Sequence, residues 1–252
     1  MIRPALRRTN ALCWVVCSWL AGCAGTETGN PSFVGKLGYD AYTSAPSVVG
    51  LSMALQGSGN ALVTVDNAWL VLGDVELQSG PDCAAEHVDI EGLGAGDHAT
   101  GQAPPTEFAS EPGRYCGVRL PFAPSDKLPD GAPNSLKTES VLVRGTLPDG
   151  RAYEIHSALQ ESLNLRATAG DFVLDSNHRS VVIGFDVADW LSELSWDDAT
   201  TTDGSVIVSD SSNAALLAQF EAALPSGVAL FRDHDENGEM DSDPEELAVT
   251  QR

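Results

Sequence analysis

The sequence predicts a mainly β protein, an antiparallel β-sandwich with one short C-terminal helix, on three observations. Short β-like runs recur along the chain, Gly, Pro, Asn and Asp punctuate them, and helical periodicity is scarce before residue 186. The 252 residues suffice for a sizeable core, and no period repeats along them.

Leu37–Thr43 and Val48–Leu55 are the first candidate strands, ended by Ser44-Ala45-Pro46 and by Gln56-Gly57-Ser58-Gly59-Asn60. Leu62–Leu77 is the longest β-like stretch. In its second half Trp69, Val71, Val75 and Leu77 share one parity and Asp74 and Glu76 the other, the pattern of a half-buried strand, with Asp66-Asn67 as a candidate turn. Residues 80–113 carry Gly92, Gly94, Gly96, Gly101 and Pro104-Pro105 and read as a long surface excursion. Strand signals resume at Tyr115–Phe122. Glu139–Leu147 and Arg151–Leu159, joined by Pro148-Asp149-Gly150, form the strongest hairpin signal. Leu163–Arg166, Phe172–Leu174 and Ser180–Val187 continue the series. Asp186–Leu194 has the length of one or two helical turns, Val206–Val208 is a short strand, and Asn213 is placed to cap a helix over Ala214–Leu224 that Pro225 and Gly227 end. Val228–Phe231 reads as a last strand before an acidic tail.

The first residues are not fold. Arg3, Arg7 and Arg8 precede an apolar run, Ala11–Leu20, of secretory-signal length and too short to span a bilayer. It ends in Leu20-Ala21-Gly22-Cys23, which resembles the lipobox of bacterial lipoproteins. The resemblance implies that residues 1–22 are removed and that Cys23, carrying a diacylglyceryl group and further acyl chains such as palmitate, becomes the N-terminus. Ala-Gly-Thr-Glu-Thr-Gly-Asn-Pro then follows, and this start resembles that of a group of uncharacterised bacterial lipoproteins. The implied layout is a signal over 1–22, a lipidated tether over 23–35, a β-sandwich domain over 36–231 and an acidic, calcium-loop-like tail over 232–252. The implied address is the cell envelope, at the outer membrane, through the lipid anchor. The runs Ala68–Val75 and Tyr115–Leu120 are also similar to those of sandwich domains of unknown function in such lipoproteins.

The formal charge is −22, and the first 22 residues carry three arginines and no acid, so the remainder stands at −25. Such a surface repels phosphate backbones and argues against nucleic acid, while divalent cations become plausible partners. Cys13 and Cys17 fall in the leader and Cys23 is the acylated residue, which leaves Cys83 and Cys116. In an oxidising compartment they are expected to pair, the alternatives being two buried thiols or half of a metal site.

The sharpest constellation is Asp233, Asp235, Asn237, Gly238, Glu239 and Asp241. Oxygen side chains at loop positions one, three, five and nine, a glycine at six and the Glu239 backbone carbonyl at seven match the way a tight loop wraps a hard cation such as Ca2+. Position twelve is Pro244, with Glu245 one residue late, so the segment resembles the calcium loops of dockerin and thrombospondin type 3 repeats more than a paired EF-hand. The role implied is structural. Eight acidic residues among the fourteen from Asp233 to Glu246, with no Lys or Arg, also fit a plain solvated tail.

Catalytic motifs are absent: no HExxH, P-loop or dinucleotide fingerprint occurs, and Gly50-Leu51-Ser52-Met53-Ala54 misses the nucleophile-elbow pattern. Trp69 is expected in the core, whereas Trp190 and Trp196, in an acidic and less regular segment, are candidates for a recognition surface. The function expected is therefore a lipid-anchored binding or structural module with a protein or glycan ligand. An exported hydrolase assembled from distant residues and a glycan-binding module are the alternatives.

Overall fold

A computed structural model describes residues 32–42, 53–56, 62–84, 86–92, 94–99 and 104–250. The leader, Cys23, the tether up to residue 31 and the start of the Val48–Leu55 run lie outside them. In chain order the strands are β1 (Phe33–Tyr42), β2 (Met53–Gln56), β3 (Leu62–Leu72), β4 (Val75–Ser79), β5 (Glu86–Ile90) and β6 (Gly94–Asp97). They continue as β7 (Thr106–Ser110), β8 (Gly113–Tyr115), β9 (Gly117–Pro121), β10 (Val141–Thr146), β11 (Ala152–Ser157) and β12 (Ser162–Ala167). Then follow β13 (Phe172–Leu174), β14 (Ser180–Asp186), helix α1 (Val187–Ser192), β15 (Val206–Val208), helix α2 (Ala214–Ala223), β16 (Val228–Arg232) and β17 (Glu246–Thr250).

Nine strands make one sheet in the order β5-β4-β9-β12-β17-β16-β14-β1-β7. Six make the second, β15-β11-β10-β3-β2 with β6 also on β3, and β8 pairs with β13 apart from both. The described pairings are antiparallel except β1 with β14 and β11 with β15. The main core joins alternate residues of both sheets, Leu37, Val181, Ile183 and Phe185 from the first and Val65, Leu70, Val143 and Ile155 from the second. The fold is the expected mainly β, sandwich-like one.

Several expectations change. Leu62–Leu77 is two strands in different sheets, because the chain crosses between them at Gly73-Asp74. A bulge places Asp66 as an extra residue opposite Arg144/Gly145, so Ala68, Leu70 and Leu72 take the core side. Trp69 therefore leaves the main core and half-buries itself on the outer face, against a small cluster of Val71, Ala95, Leu136 and Leu142. The excursion after Gly80 contains β5, β6 and β7, each paired to a sheet. The acidic tail is not a tail: its last residues form β17, hydrogen-bonded between β12 and β16 inside the nine-stranded sheet, and β1 starts at Phe33, within the expected tether.

Cys83 and Cys116 are joined as a disulfide, with Cα atoms 5.7 Å apart, fastening the start of the excursion beside β9. Asp186 caps α1 by accepting the Asp189 N–H at 3.1 Å. Asn213 does not cap α2: it stands at φ 54° without a side-chain bond to the helix. Its amide instead binds Thr200 N, Thr200 O and Ile207 O at 2.8–2.9 Å, tying the loop before β15 to the helix start. α2 buries Leu216, Leu217, Phe220 and Ala223 on one side. No described helix is long and apolar enough to cross a membrane.

Candidate metal centre

The segment 233–245 connects two neighbouring interior strands, β16 and β17, so both its ends are fixed by ladder bonds. Arg232 N donates to Glu245 O at 2.9 Å, and Asp233 N donates to Ser180 O at 3.2 Å. All five residues of β16 are buried, and Asp233, the next residue, is only 2 % exposed. A carboxylate so placed must be compensated. One oxygen is: Oδ2 accepts the Ser180 hydroxyl at 2.7 Å and the Gly238 N–H at 2.9 Å. Oδ1 is buried without a hydrogen-bond partner.

The loop folds its other carboxylates toward Asp233. Asp233, Asp235 and Asp241 each present an oxygen within 4.8 Å of the others, the one group of three or more Asp, Glu, His or Cys among the described residues that could hold an ion. Local bonds set this shape. Asn237 N and Nδ2 donate to the two Asp235 oxygens at 3.3 and 3.0 Å, Glu239 N donates to Asn237 Oδ1 at 2.7 Å, and His234 N donates to Asp241 Oδ2 at 3.0 Å. Gly238 has φ 85°, and a Cβ there would also meet Pro105 at 3.1 Å, so glycine at position six is doubly required. Loss of water, then contact with the Asp233 carboxyl and the charges of Asp233 and Asp241, holds Asp235 above the ordinary carboxylate pKa. Three mutually repelling carboxylates, one of them with an unserved oxygen, form a group that could hold a hard cation.

Glu236 does not join them. It stands at φ 60°, and its carboxylate points to the sheet, taking Arg179 Nε at 2.8 Å and Nη2 at 2.5 Å and Lys36 Nζ at 3.4 Å. Those two cations hold its carboxyl below the ordinary value. On the same side Met240 N donates to Asp40 Oδ2 at 3.0 Å. Gly38 of β1 lies so close that a Cβ would be 2.4 Å from Gly238 O. The loop is thus clamped on β1 and β14. Glu245, the late twelfth-position candidate, faces Arg232 Nε at 3.9 Å and His234 Nε2 at 3.6 Å instead of the three aspartates. Ser180, Asp40, Lys36 and Arg179 were invisible to loop spacing, since they lie far off in the chain.

The aromatic candidates separate. Trp190 is fully buried, donates Nε1–H to Leu224 O at 3.0 Å and meets Phe220 edge-on, so it anchors α1 and is not a recognition residue. Trp196 is half-buried, donates Nε1–H to Leu191 O at 3.3 Å and packs against Tyr153, with one side lining a groove of about 520 Å³. The described histidine side chains do not converge: His98 is buried, His156 sits between Glu139 and Glu154, His178 lies on Asp175 and His234 near Glu245.

No protein-family model and no curated protein sequence matches the chain. Among solved structures it is similar to MbnP from Methylosinus trichosporium, at 13% identity and a TM-score of 0.41, over 69% of this chain and 82% of that one.

Proposed function

We propose that the chain is a calcium-stabilised binding or structural module held at the cell envelope by acyl chains on Cys23. One observation carries the calcium reading: the buried Asp233 has an unpartnered Oδ1, and in the same loop Asp233, Asp235 and Asp241 each present a carboxylate oxygen within 4.8 Å of the others. Oxygen-only donors on a tight loop suit Ca2+ better than a softer ion. Asn237 Oδ1 and the Glu239 carbonyl complete the proposed donor set, and Glu236 serves as the clamp.

The anchoring reading rests on the apolar run and Leu20-Ala21-Gly22-Cys23. Two acyl chains hold a protein at a bilayer without help from a basic patch. Calorimetric titration of the chelator-treated protein is expected to show one Ca2+ per chain, with affinity in the ~10⁻⁴–10⁻³ M range of extracellular modules. Asp235→Ala and Asp241→Ala are expected to abolish the heat. Mass spectrometry of the N-terminal peptide from the native host is expected to find Cys23 acylated. Absence of calcium heat from the intact protein, or an unmodified Cys23, overturns the corresponding half.

A further inference from the structure

We propose that the groove beside Trp196 binds a cationic organic ligand that bears a quaternary ammonium group. The groove, about 520 Å³, is within the roughly 300–1,000 Å³ of small-molecule sites. Its lining includes the apolar Val63, Leu147 and Leu194, all nearly fully buried, and Trp196 stands beside them. The tryptophan is fixed there by Tyr153, 5.1 Å between ring centroids, and by its bond to Leu191 O. Because that bond engages the indole N–H, the ring brings the groove aromatic surface without its donor.

The rim is acidic in excess. Arg151 is neutralised locally, with Nε 2.6 Å from Asp149 Oδ2 and its backbone N–H on Asp149 Oδ1 at 3.0 Å. Asp197 and Asp198, both exposed on the 3-10 turn that carries Trp196, have no ion pair or side-chain hydrogen bond among the described residues. Two uncompensated carboxylates and an aromatic ring lining one groove attract a cation twice, by charge and by the ring quadrupole. An ionised carboxylate can only accept hydrogen bonds, so this rim selects against anions, and its two carboxylates offer no donor to the acceptor oxygens of a sugar.

The test is calorimetric titration of the intact protein with choline, at constant calcium, beside its neutral isostere in which carbon replaces the quaternary nitrogen. Choline is expected to bind saturably and about tenfold or more tighter than the isostere. The double variant Asp197→Asn, Asp198→Asn, whose side chains are exposed, is expected to weaken choline about tenfold with the melting temperature unchanged. Trp196→Leu is expected to abolish binding. Equal affinity for the isostere, undiminished binding by the double variant, or saturable binding of glucose with none of choline overturns the proposal.

Discussion

Replacing Asp233 by Asn separates the charge of the buried carboxyl from its shape, and the structure gives the two effects opposite signs. The asparagine carbonyl can still accept Ser180 Oγ and Gly238 N, which Oδ2 serves now. Its amide nitrogen takes the place of the buried, unpartnered Oδ1, a state that costs about 1–3 kcal/mol, and as a donor it faces the acceptor oxygens of Asp235 and Asp241. Repulsion with Asp235 and Asp241 also falls. Without calcium, Asp233→Asn is therefore expected to melt at or above the parent. With calcium at about 100 times the dissociation constant, the parent gains about 2.7 kcal/mol, or roughly 5–10 °C in a domain of this size. The variant loses most of that gain. Differential scanning calorimetry in EDTA and in calcium should show the order of the two melting temperatures reverse. Parallel shifts in both proteins, or a variant already strongly destabilised in EDTA, would refute the reasoning and make Asp233 a purely structural acceptor.

Other changes address the framework. A Cβ on Gly38 would meet the backbone of Gly238, so Gly38→Ala is expected to cost about 1–3 kcal/mol and to weaken calcium binding by titration, while Val34→Ala, exposed on the same strand, does neither. Cys83→Ser with Cys116→Ser is expected to lower stability by about 3–4 kcal/mol in the chain-entropy model, read as a reduced urea midpoint. Burial holds His98 at about 4, below its ordinary 6.5. The unfolded chain thus takes up a proton before the folded one, and stability present above pH 6.5 is lost as pH falls toward 4. Urea unfolding at pH 7 and at about pH 4.5 should differ by about 2–3 kcal/mol from this residue alone, and His98→Gln should flatten that slope; an unchanged slope would count against it.

What could be read from the sequence was what neighbours along the chain decide. The Leu147–Arg151 turn, the short helix after Asp186 and the aspartate spacing of the loop are local chemistry, and each stands where the residues point. The cysteine pairing followed from the count and from the compartment that the first residues lead one to expect, again without tertiary information. Failures occurred where distant contacts overrule local pattern. Trp69 shares a parity with Leu77, but the Asp66 bulge and the crossing at Gly73 break the face to which that parity refers. β6 has only Ala95 as an apolar residue and is a strand because β3 pairs with it. β17 carries the buried Leu247 and Ala248 just after Glu245 and Glu246, too short a run to show a period, and gains its order from β12 and β16. Trp190 and Trp196 are six residues apart in one acidic segment, and only packing shows that the first is core and the second lines a groove.

The placement of β17 also bears on what calcium would do. In a mobile tail a cation would order the tail alone, and the domain would melt at the same temperature with or without it. Here the loop begins at the last residue of one interior strand and ends at the first of its neighbour, with Glu236 clamped by Arg179 and Lys36 and Met240 bonded to Asp40. Asp233 directly follows β16, and β16 and β17 lie in the middle of the nine-stranded sheet, so the site is tied at both ends to interior strands. The free energy of the bound ion then couples to global unfolding and not to a local opening. Under the proposed function, calcium should move a single cooperative transition upward without splitting it, and amide exchange in β14, β16 and β17 should slow together. A separate low-temperature transition removed by calcium would show the loop opening on its own, and with it the stabilising role assigned to the site would fail.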